Sequence, residues 1–547
     1  MASLQILRIR GLSTILAPVA VVALVCLVYA GSLANGFVFD DSAYLSSPAI
    51  RNLDLAQLVL ANWRDLDLYR PLALVSLAID QALWGERAVG FHLTNVALHG
   101  AVTWIVWWLA LRFTGKRLTA LVAALAFGLH PLQSEVVCWV SARADLLSTG
   151  LMLLGLGAHL RAAEDGPHRR RWRLLAISCC ALAPLAKETG AVFLVAAWWL
   201  DRCRGSASGR LSLVRDGTVW LRRHPGYALA LVAALALRTA VVAGGGEPPA
   251  SANFLASAGL LERWGTAVAI LGRYASLVVF PLHLSVDYSY DSIPLSGVGD
   301  PWLYVGAFVA FVLVMAARRA DGVSAFCAGA FLLAWLPVSG LLILAPSAMA
   351  ERYLYPGFYA LALALGAGVS RLLAGSTTRR RLVVSGLALL LGLWAVRVEA
   401  RTRDWRDDGT LFTAVARRFP RNARALENLA HWRWRQGDLA AAVDLYRESL
   451  ISRPHNVRAF TNLGILEARR SRLRQAAVAF AGALELNPRH QQALLGRAGV
   501  LERLGRSRQA ADHYRTVLAL APGHSAAVAG LARVEASRWP DSTGDPP

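Results

Sequence analysis

Residues 13–33 read STILAPVAVVALVCLVYAGSL, and residues 36–45 read GFVFDDSAYL. The first stretch is an apolar run of about the 20 residues that a membrane-spanning helix needs. The second sets two carboxylates, Asp40 and Asp41, within a turn or two of the point where that helix would leave the lipid. A cleaved leader would have a shorter apolar part, so the run is read as an uncleaved first span. Arg8 and Arg10 ahead of it then hold the N-terminus on the inner side.

The rest of the chain agrees with a membrane reading. It has 547 residues, of which 56% are hydrophobic and 17% charged, with a mean hydropathy of +0.42. A soluble core does not require that much apolar sequence. The net charge of +21 would suit nucleic acid, but the arginines fall in short clusters between apolar runs, where they orient spans and meet anionic headgroups. No nucleic-acid partner is inferred. The six cysteines (Cys26, Cys138, Cys179, Cys180, Cys203, Cys327) sit in or beside apolar segments without ligand spacing, as small core residues do.

Further apolar runs at 93–113, 118–131, 145–160, 174–186, 190–200, 225–243, 302–316, 323–345, 354–373 and 382–397 bring the expected count to about eleven spans. Lys116 with Arg117, Arg169 to Arg173, Arg202 with Arg204, Arg318 with Arg319, and Arg379 to Arg381 then all lie on the side of the N-terminus. The opposite, exoplasmic side receives the Asp40–Asp41 loop, HPLQSEVVCWVSARAD (130–145), KETG (187–190), VDYSYDS (286–292) and ERY (351–353). The stretch 263–282 is read as interfacial or re-entrant, because counting it as a span would reverse every later loop. The near-exclusive use of arginine over lysine points to a GC-rich bacterial genome, and hence to a bacterial inner membrane.

After Trp405 the apolar runs stop and prolines recur at 420, 454, 488 and 522, a constant step of 34, which is the tetratricopeptide period. Ala442, Ala476 and Ala510 fill the small-residue slot, and Tyr446, Phe480 and Tyr514 fill the aromatic slot four residues later. Such repeats stack helical hairpins into a solenoid whose groove binds peptides or proteins. The expected organisation is all-α: a polytopic domain over 1–400, a linker over 401–422, three exoplasmic repeats over 423–535, and a disordered tail over 536–547.

The exoplasmic loops carry the chemistry. Two adjacent acids after a span serve as a helix cap, a solvated turn or a catalytic carboxylate. Here they share a membrane face with His130, Glu135, Arg143, Asp145, Lys187, Glu188, Glu351 and Arg352. Carboxylates beside cations at one lipid boundary suit sugar transfer from a polyprenyl phosphate: a cation stabilises the departing phosphate while a carboxylate deprotonates the attacking hydroxyl. The candidate bases are Asp41 or Asp40. Glu135 and Asp145 are further acids, for acceptor positioning or for a divalent ion. Arg143, Lys187 and Arg352 are the candidates for the donor phosphate, and His130, Glu188, Asp287 and Tyr288 for the sugar or acceptor side. Plain structural roles compete at each: Arg143 and Asp145, two apart on a helix, face different ways, Lys187–Glu188 makes a hairpin tip, and His130–Pro131 ends a helix. Asp65-Leu66-Asp67 matches the DxD triplet of nucleotide-sugar enzymes, but the chain lacks the α/β domain that such a site needs.

GFVFDDSAYL, YRPLALVSL (69–77), FHLTNVALH (91–99), HPLQSEVVCWVSARADLLS (130–148), LAKETG (185–190) and ERYLYPG (351–357), followed by the repeats, resemble the transmembrane and tetratricopeptide repeat-containing O-mannosyltransferases and their bacterial relatives, within the polytopic GT-C glycosyltransferase class. The resemblance implies a lipid-linked donor (dolichyl phosphate mannose in the animal members), serine or threonine acceptors, and a catalytic aspartate in the first exoplasmic loop, which here holds Asp40 and Asp41. The rival readings are a non-enzymatic envelope scaffold, in which the loop carboxylates would be dispensable, and a transporter. The latter would favour charges deep within spans, for which Arg238 and Asp80 are the candidates.

Overall fold

The computed structural model describes residues 16–60, 69–204, 213–242, 253–289, 292–319 and 322–536. The DxD triplet at 65–67, Tyr290 and the expected tail beyond 536 lie outside these residues, as do Arg8 and Arg10. Among the described residues every regular element is helical. The chain divides into two compact units: one runs to Tyr288 and resumes over Leu295–Leu411, and the other takes Ser289–Pro294 with everything from Phe412.

In the first unit six helices are long and apolar enough to cross a bilayer: Leu16–Ala34, Ala88–Thr114, Pro225–Val242, Pro301–Arg318, Glu351–Leu372 and Thr377–Asp404. A seventh candidate is the pair Arg117–Leu129 and Pro131–Cys138, bent by 51° at His130. Leu229 and Val232, Phe308 and Phe311, and Leu389 and Val396 project from these helices with most of their surface uncovered. That suits a bilayer, where apolar surface needs no protein cover. The chain is a multi-pass membrane protein.

These six or seven helices meet that length and hydropathy, against the eleven spans expected from the apolar runs. Apolar runs at 145–160, 174–186, 190–200 and 323–345 become helices that are shorter, more charged or less apolar than these. Arg143–Ala162 is instead enclosed by protein along most of its length, its polar Asp145, Ser148, Thr149 and His159 all buried. The stretch read as interfacial forms a 20-residue helix, Leu260–Val279. It packs closely on Pro301–Arg318 because both helices place glycine at the contact: a Cβ on Gly306 would lie 1.8 Å from the Val268 carbonyl oxygen. The expected linker 401–422 is largely helical, since the last span runs unbroken to Asp404 and Asp408–Arg418 forms another helix.

The second unit stacks helices Ala423–Arg435, Leu439–Ser452, Val457–Arg469, Leu473–Leu486, Gln491–Arg503, Ser507–Leu520 and Ser525–Ala536. Asn422, Asn456, His490 and His524 stand 34 apart, and each accepts a hydrogen bond from the amide three residues on, at 2.8, 3.1, 3.3 and 3.4 Å. The joints between hairpins repeat as well. Asn462 donates to the Tyr446 hydroxyl at 3.1 Å, while Phe480 and Tyr514 lie over Gly496 and Gly530, where a Cβ would meet the rings at 2.4 and 2.3 Å.

Candidate active site

The loop after the first span is held from two sides. The Gly36 amide donates to the Arg406 carbonyl at 3.0 Å, and the Phe39 amide donates to Asp408 Oδ1 at 2.8 Å, both partners lying just beyond the last span. Phe39 has φ +56°, a conformation unfavourable for a side chain with a Cβ and retained where surrounding contacts fix it. The turn it makes separates the two acids. Asp40 stays at the surface, whereas Asp41 is fully enclosed.

Asp41 Oδ1 accepts from the Ser141 amide at 2.8 Å and from its hydroxyl at 2.5 Å, and Oδ2 accepts from the Val38 amide at 3.1 Å. Burial raises its pKa to about 7, against the hydrogen bonds from Ser141 and Val38, which favour the carboxylate. A carboxyl poised there accepts a proton at neutral pH more readily than an ordinary aspartate does.

A small recess of ≈ 20 Å³, room for a hydroxyl-sized group, opens beside Ser141, lined also by Ala144, Tyr44, Arg70, Ala73, Leu74 and Leu77. Arg70 stands at the start of Pro71–Trp84, and its guanidinium donates to Glu188 at 3.1 and 3.4 Å. Arg238, from the far end of the span Pro225–Val242, donates to the same carboxylate at 3.1 Å. Burial acts upward on Glu188, but the two arginines prevail and hold its carboxyl down at about 2. Two guanidiniums share one carboxylate here, so the trio carries one positive charge in excess. Its members remain 21%, 29% and 33% exposed (Arg70, Arg238, Glu188), open enough to meet an anion.

Behind this trio Lys187 and Arg352 are paired with acids. Lys187 Nζ lies 2.6 and 2.7 Å from the Asp145 oxygens; burial pulls its ammonium below the ordinary lysine value, against the attraction of Asp145. The KETG turn that presents Lys187 and Glu188 requires glycine at its end, since a Cβ on Gly190 would come within 2.4 Å of the Ala183 carbonyl carbon. Arg352 donates to Glu135 through its side chain at 2.5 Å and its amide at 2.9 Å. Its guanidinium lies over the rings of Trp139 (5.3 Å) and Tyr353 (5.2 Å). Glu351 accepts from the Tyr288 hydroxyl at 2.7 Å and the Ser285 amide at 2.5 Å, and Asp287 is buried in the same loop.

Two of the expected site residues stand elsewhere. Arg143 is fully enclosed: it pairs with Asp80 at 2.6 Å and donates to Asn95 Oδ1, the Phe91 carbonyl and the Ser76 carbonyl. Every guanidinium nitrogen is thus committed to the helix bundle, and Asp80, suspected as a transport charge, is its counter-ion. His130 accepts from the Leu132 amide at 3.2 Å and donates to the Val278 carbonyl at 3.0 Å. Packed between Phe358 and Trp394, it shapes the 51° bend. Among the described residues no three of His, Cys, Asp and Glu converge as metal ligands. Glu135 and Asp145, the acids considered for a divalent ion, already hold Arg352 and Lys187, so the donor set does not fit one.

Sequence reasoning missed Ser141, Tyr44 and Arg70. Arg70 had a signal, a lone cation before a proline that starts an apolar helix. Ser141 had none, because its part depends on which way the first loop folds.

Comparison with known proteins gives three results. The tetratricopeptide repeat family model matches residues 396–457 and 461–525. The chain is 27% identical over 491 residues to the mouse protein O-mannosyl-transferase TMTC4, covering 78% of this chain and 65% of the relative. It is 28% identical over 529 residues to the Drosophila melanogaster protein O-mannosyl-transferase Tmtc1, covering 79% and 61%. The chain therefore spans a little under two thirds of the length of these curated relatives. Among solved structures, ArnT from Cupriavidus metallidurans bound to undecaprenyl phosphate aligns with TM-score 0.41 and 18% identity, over 87% of this chain and 80% of that one.

Proposed function

We propose that the chain is an inverting glycosyltransferase that moves a mannose-like sugar from a polyprenyl-phosphate carrier to a protein serine or threonine, or a glycan hydroxyl, on the exoplasmic side of a bacterial inner membrane. The observation that carries the reading is the buried Asp41 carboxyl, hydrogen-bonded to Ser141, which lines a recess that Arg70 also lines. The similarity to O-mannosyl-transferases supports the reaction class.

In this mechanism the acceptor hydroxyl enters the recess and the Asp41 carboxylate takes its proton as the oxygen attacks the anomeric carbon. The bond from that carbon to the phosphate oxygen breaks, its electron pair leaves with the polyprenyl phosphate, and the configuration inverts in the single displacement. Arg70 and Arg238 meet the phosphate, and their excess positive charge stabilises the negative charge that develops on it. Lys187 and Arg352, the cations first considered for this task, hold Asp145 and Glu135 and thereby fix the walls. The repeats recruit the acceptor protein.

The test is transfer of radiolabelled sugar from polyprenyl-phosphate mannose by the reconstituted protein. Asp41→Asn is expected to lose at least about a hundredfold in rate, the usual contribution of a general base, with Asp40→Asn remaining near wild type. Equal rates in wild type and Asp41→Asn would overturn the assignment of the base. A scaffold role predicts no transfer from any lipid-linked sugar and full function of the carboxylate variants.

A further inference from the structure

Helix Arg169–Ala186 and span Pro225–Val242 pack side by side, with Cys180 Sγ reaching the Tyr227 carbonyl at 3.5 Å. One end of the pair carries Lys187 and Arg238 of the site described above. At the other end, about 20 Å away along the axes at 1.5 Å per residue, lies a separate cavity of ≈ 160 Å³ lined by Arg173, Ile177, Arg223, His224, Pro225, Gly226 and Tyr227.

The cavity is basic and its cations are not spent on carboxylates. Among the described residues neither Arg173 nor Arg223 has an ion-pair partner. Asp201 lies 3.9 Å from the His224 ring nitrogen and is already taken by His159 at 3.0 Å and the Trp220 indole at 2.8 Å. The walls are rigid, because Trp220, His224 and Tyr227 stack on one another at 4.6 to 5.8 Å and His159 bonds the Tyr227 hydroxyl at 2.9 Å.

The surroundings identify the depth. Helix Leu213–Arg223 runs directly into the span at Pro225 and has charged Arg215, Asp216, Arg222 and Arg223 beside exposed apolar Val219 and Leu221. A helix of that pattern lies in the headgroup layer. On the span itself Leu229 is also exposed, so a ligand whose charge enters the cavity finds apolar surface for its tail next to it. A free anion would leave that surface unused.

We propose that this cavity binds the phosphate of an anionic phospholipid headgroup, in the leaflet opposite the Asp41 site. Basic pockets between helices at the membrane surface recognise such headgroups through their arginines. The inference does not depend on the transferase reading.

The test uses the full chain, delipidated in detergent and titrated with phosphatidylglycerol, phosphatidylcholine or inorganic phosphate, with bound lipid counted by native mass spectrometry and melting temperature followed in parallel. Arg173→Gln with Arg223→Gln is compared with wild type and with Arg379→Gln plus Arg380→Gln, which neutralises another basic cluster. The expected result is one tight phosphatidylglycerol on wild type and on the control. In the cavity variant its affinity falls about tenfold or more, from two lost cations, and the lipid-induced rise in melting temperature falls with it. Equal retention by the cavity variant would overturn the proposal, as would equal binding of phosphatidylcholine. Stabilisation by inorganic phosphate alone would replace the headgroup with a free anion. The arginines are exposed, and the single Arg223→Gln variant serves as a second reading if the double variant aggregates.

Discussion

Asp41 and Asp40 are neighbours in sequence and opposites in environment. Sequence reasoning reached the pair but left the choice open, because the choice is made by Phe39: its positive φ turns one carboxylate inward and leaves the other in solvent. The enclosed group has the pKa near 7, so below that pH it holds a proton and cannot serve as a base. Transfer is expected to fall about tenfold per pH unit on that limb. Ser141→Ala removes a hydrogen bond that favours the charged form, so the limb should move to higher pH; a profile that stays in place, or moves down, would separate Asp41 from the rate. Arg143 shows the reverse difficulty. An arginine in a loop-rich motif reads as a phosphate ligand, and only the three-dimensional neighbourhood reveals that Asp80 and three further acceptors occupy it. At Lys187 the pairing itself is testable. Lys187→Met strands Asp145 in a buried site and should cost about 3–5 kcal/mol, while adding Asp145→Asn should restore most of the lost thermal stability.

At the level of elements, hydropathy located each apolar run but not its fate. Composition resembles a span equally whether a helix meets lipid or is wrapped by other helices, and Arg143–Ala162 belongs to the second case. The repeat helices were far more legible, since 34-residue spacing fixes both their length and their register. Their ends are fixed by single side chains. Asn456 accepts from the Ala459 amide and donates to Glu427 Oε1 at 2.5 Å. Asn456→Ala should therefore destabilise its helix by about 1 kcal/mol, seen as faster amide hydrogen exchange within Val457–Arg469 and little change in Gln491–Arg503.

For the whole molecule, the orientation inferred from the arginine clusters predicts which parts a membrane-impermeant maleimide can reach. Cys138, Cys179, Cys180, Cys203 and Cys327 are buried, which keeps the background low. A cysteine placed at exposed Ser42 should be labelled in intact, right-side-out spheroplasts, and one placed at Arg170 only after permeabilisation. The opposite pattern would invert the topology and with it the side proposed for sugar transfer. The repeat array adds a property of another kind. Each cap serves its own helix, and each joint is completed sixteen residues after its aromatic, at Tyr446 with Asn462, Phe480 with Gly496 and Tyr514 with Gly530. A block of 34 residues cut from one cap to the next, such as 456–489, carries one cap, the partner of the preceding joint and the aromatic of the following one, so duplication or loss of a block leaves every aromatic with a partner sixteen residues on. The array is graduated like a measuring rod, and its length can change in evolution by whole divisions while the membrane part stays as it is.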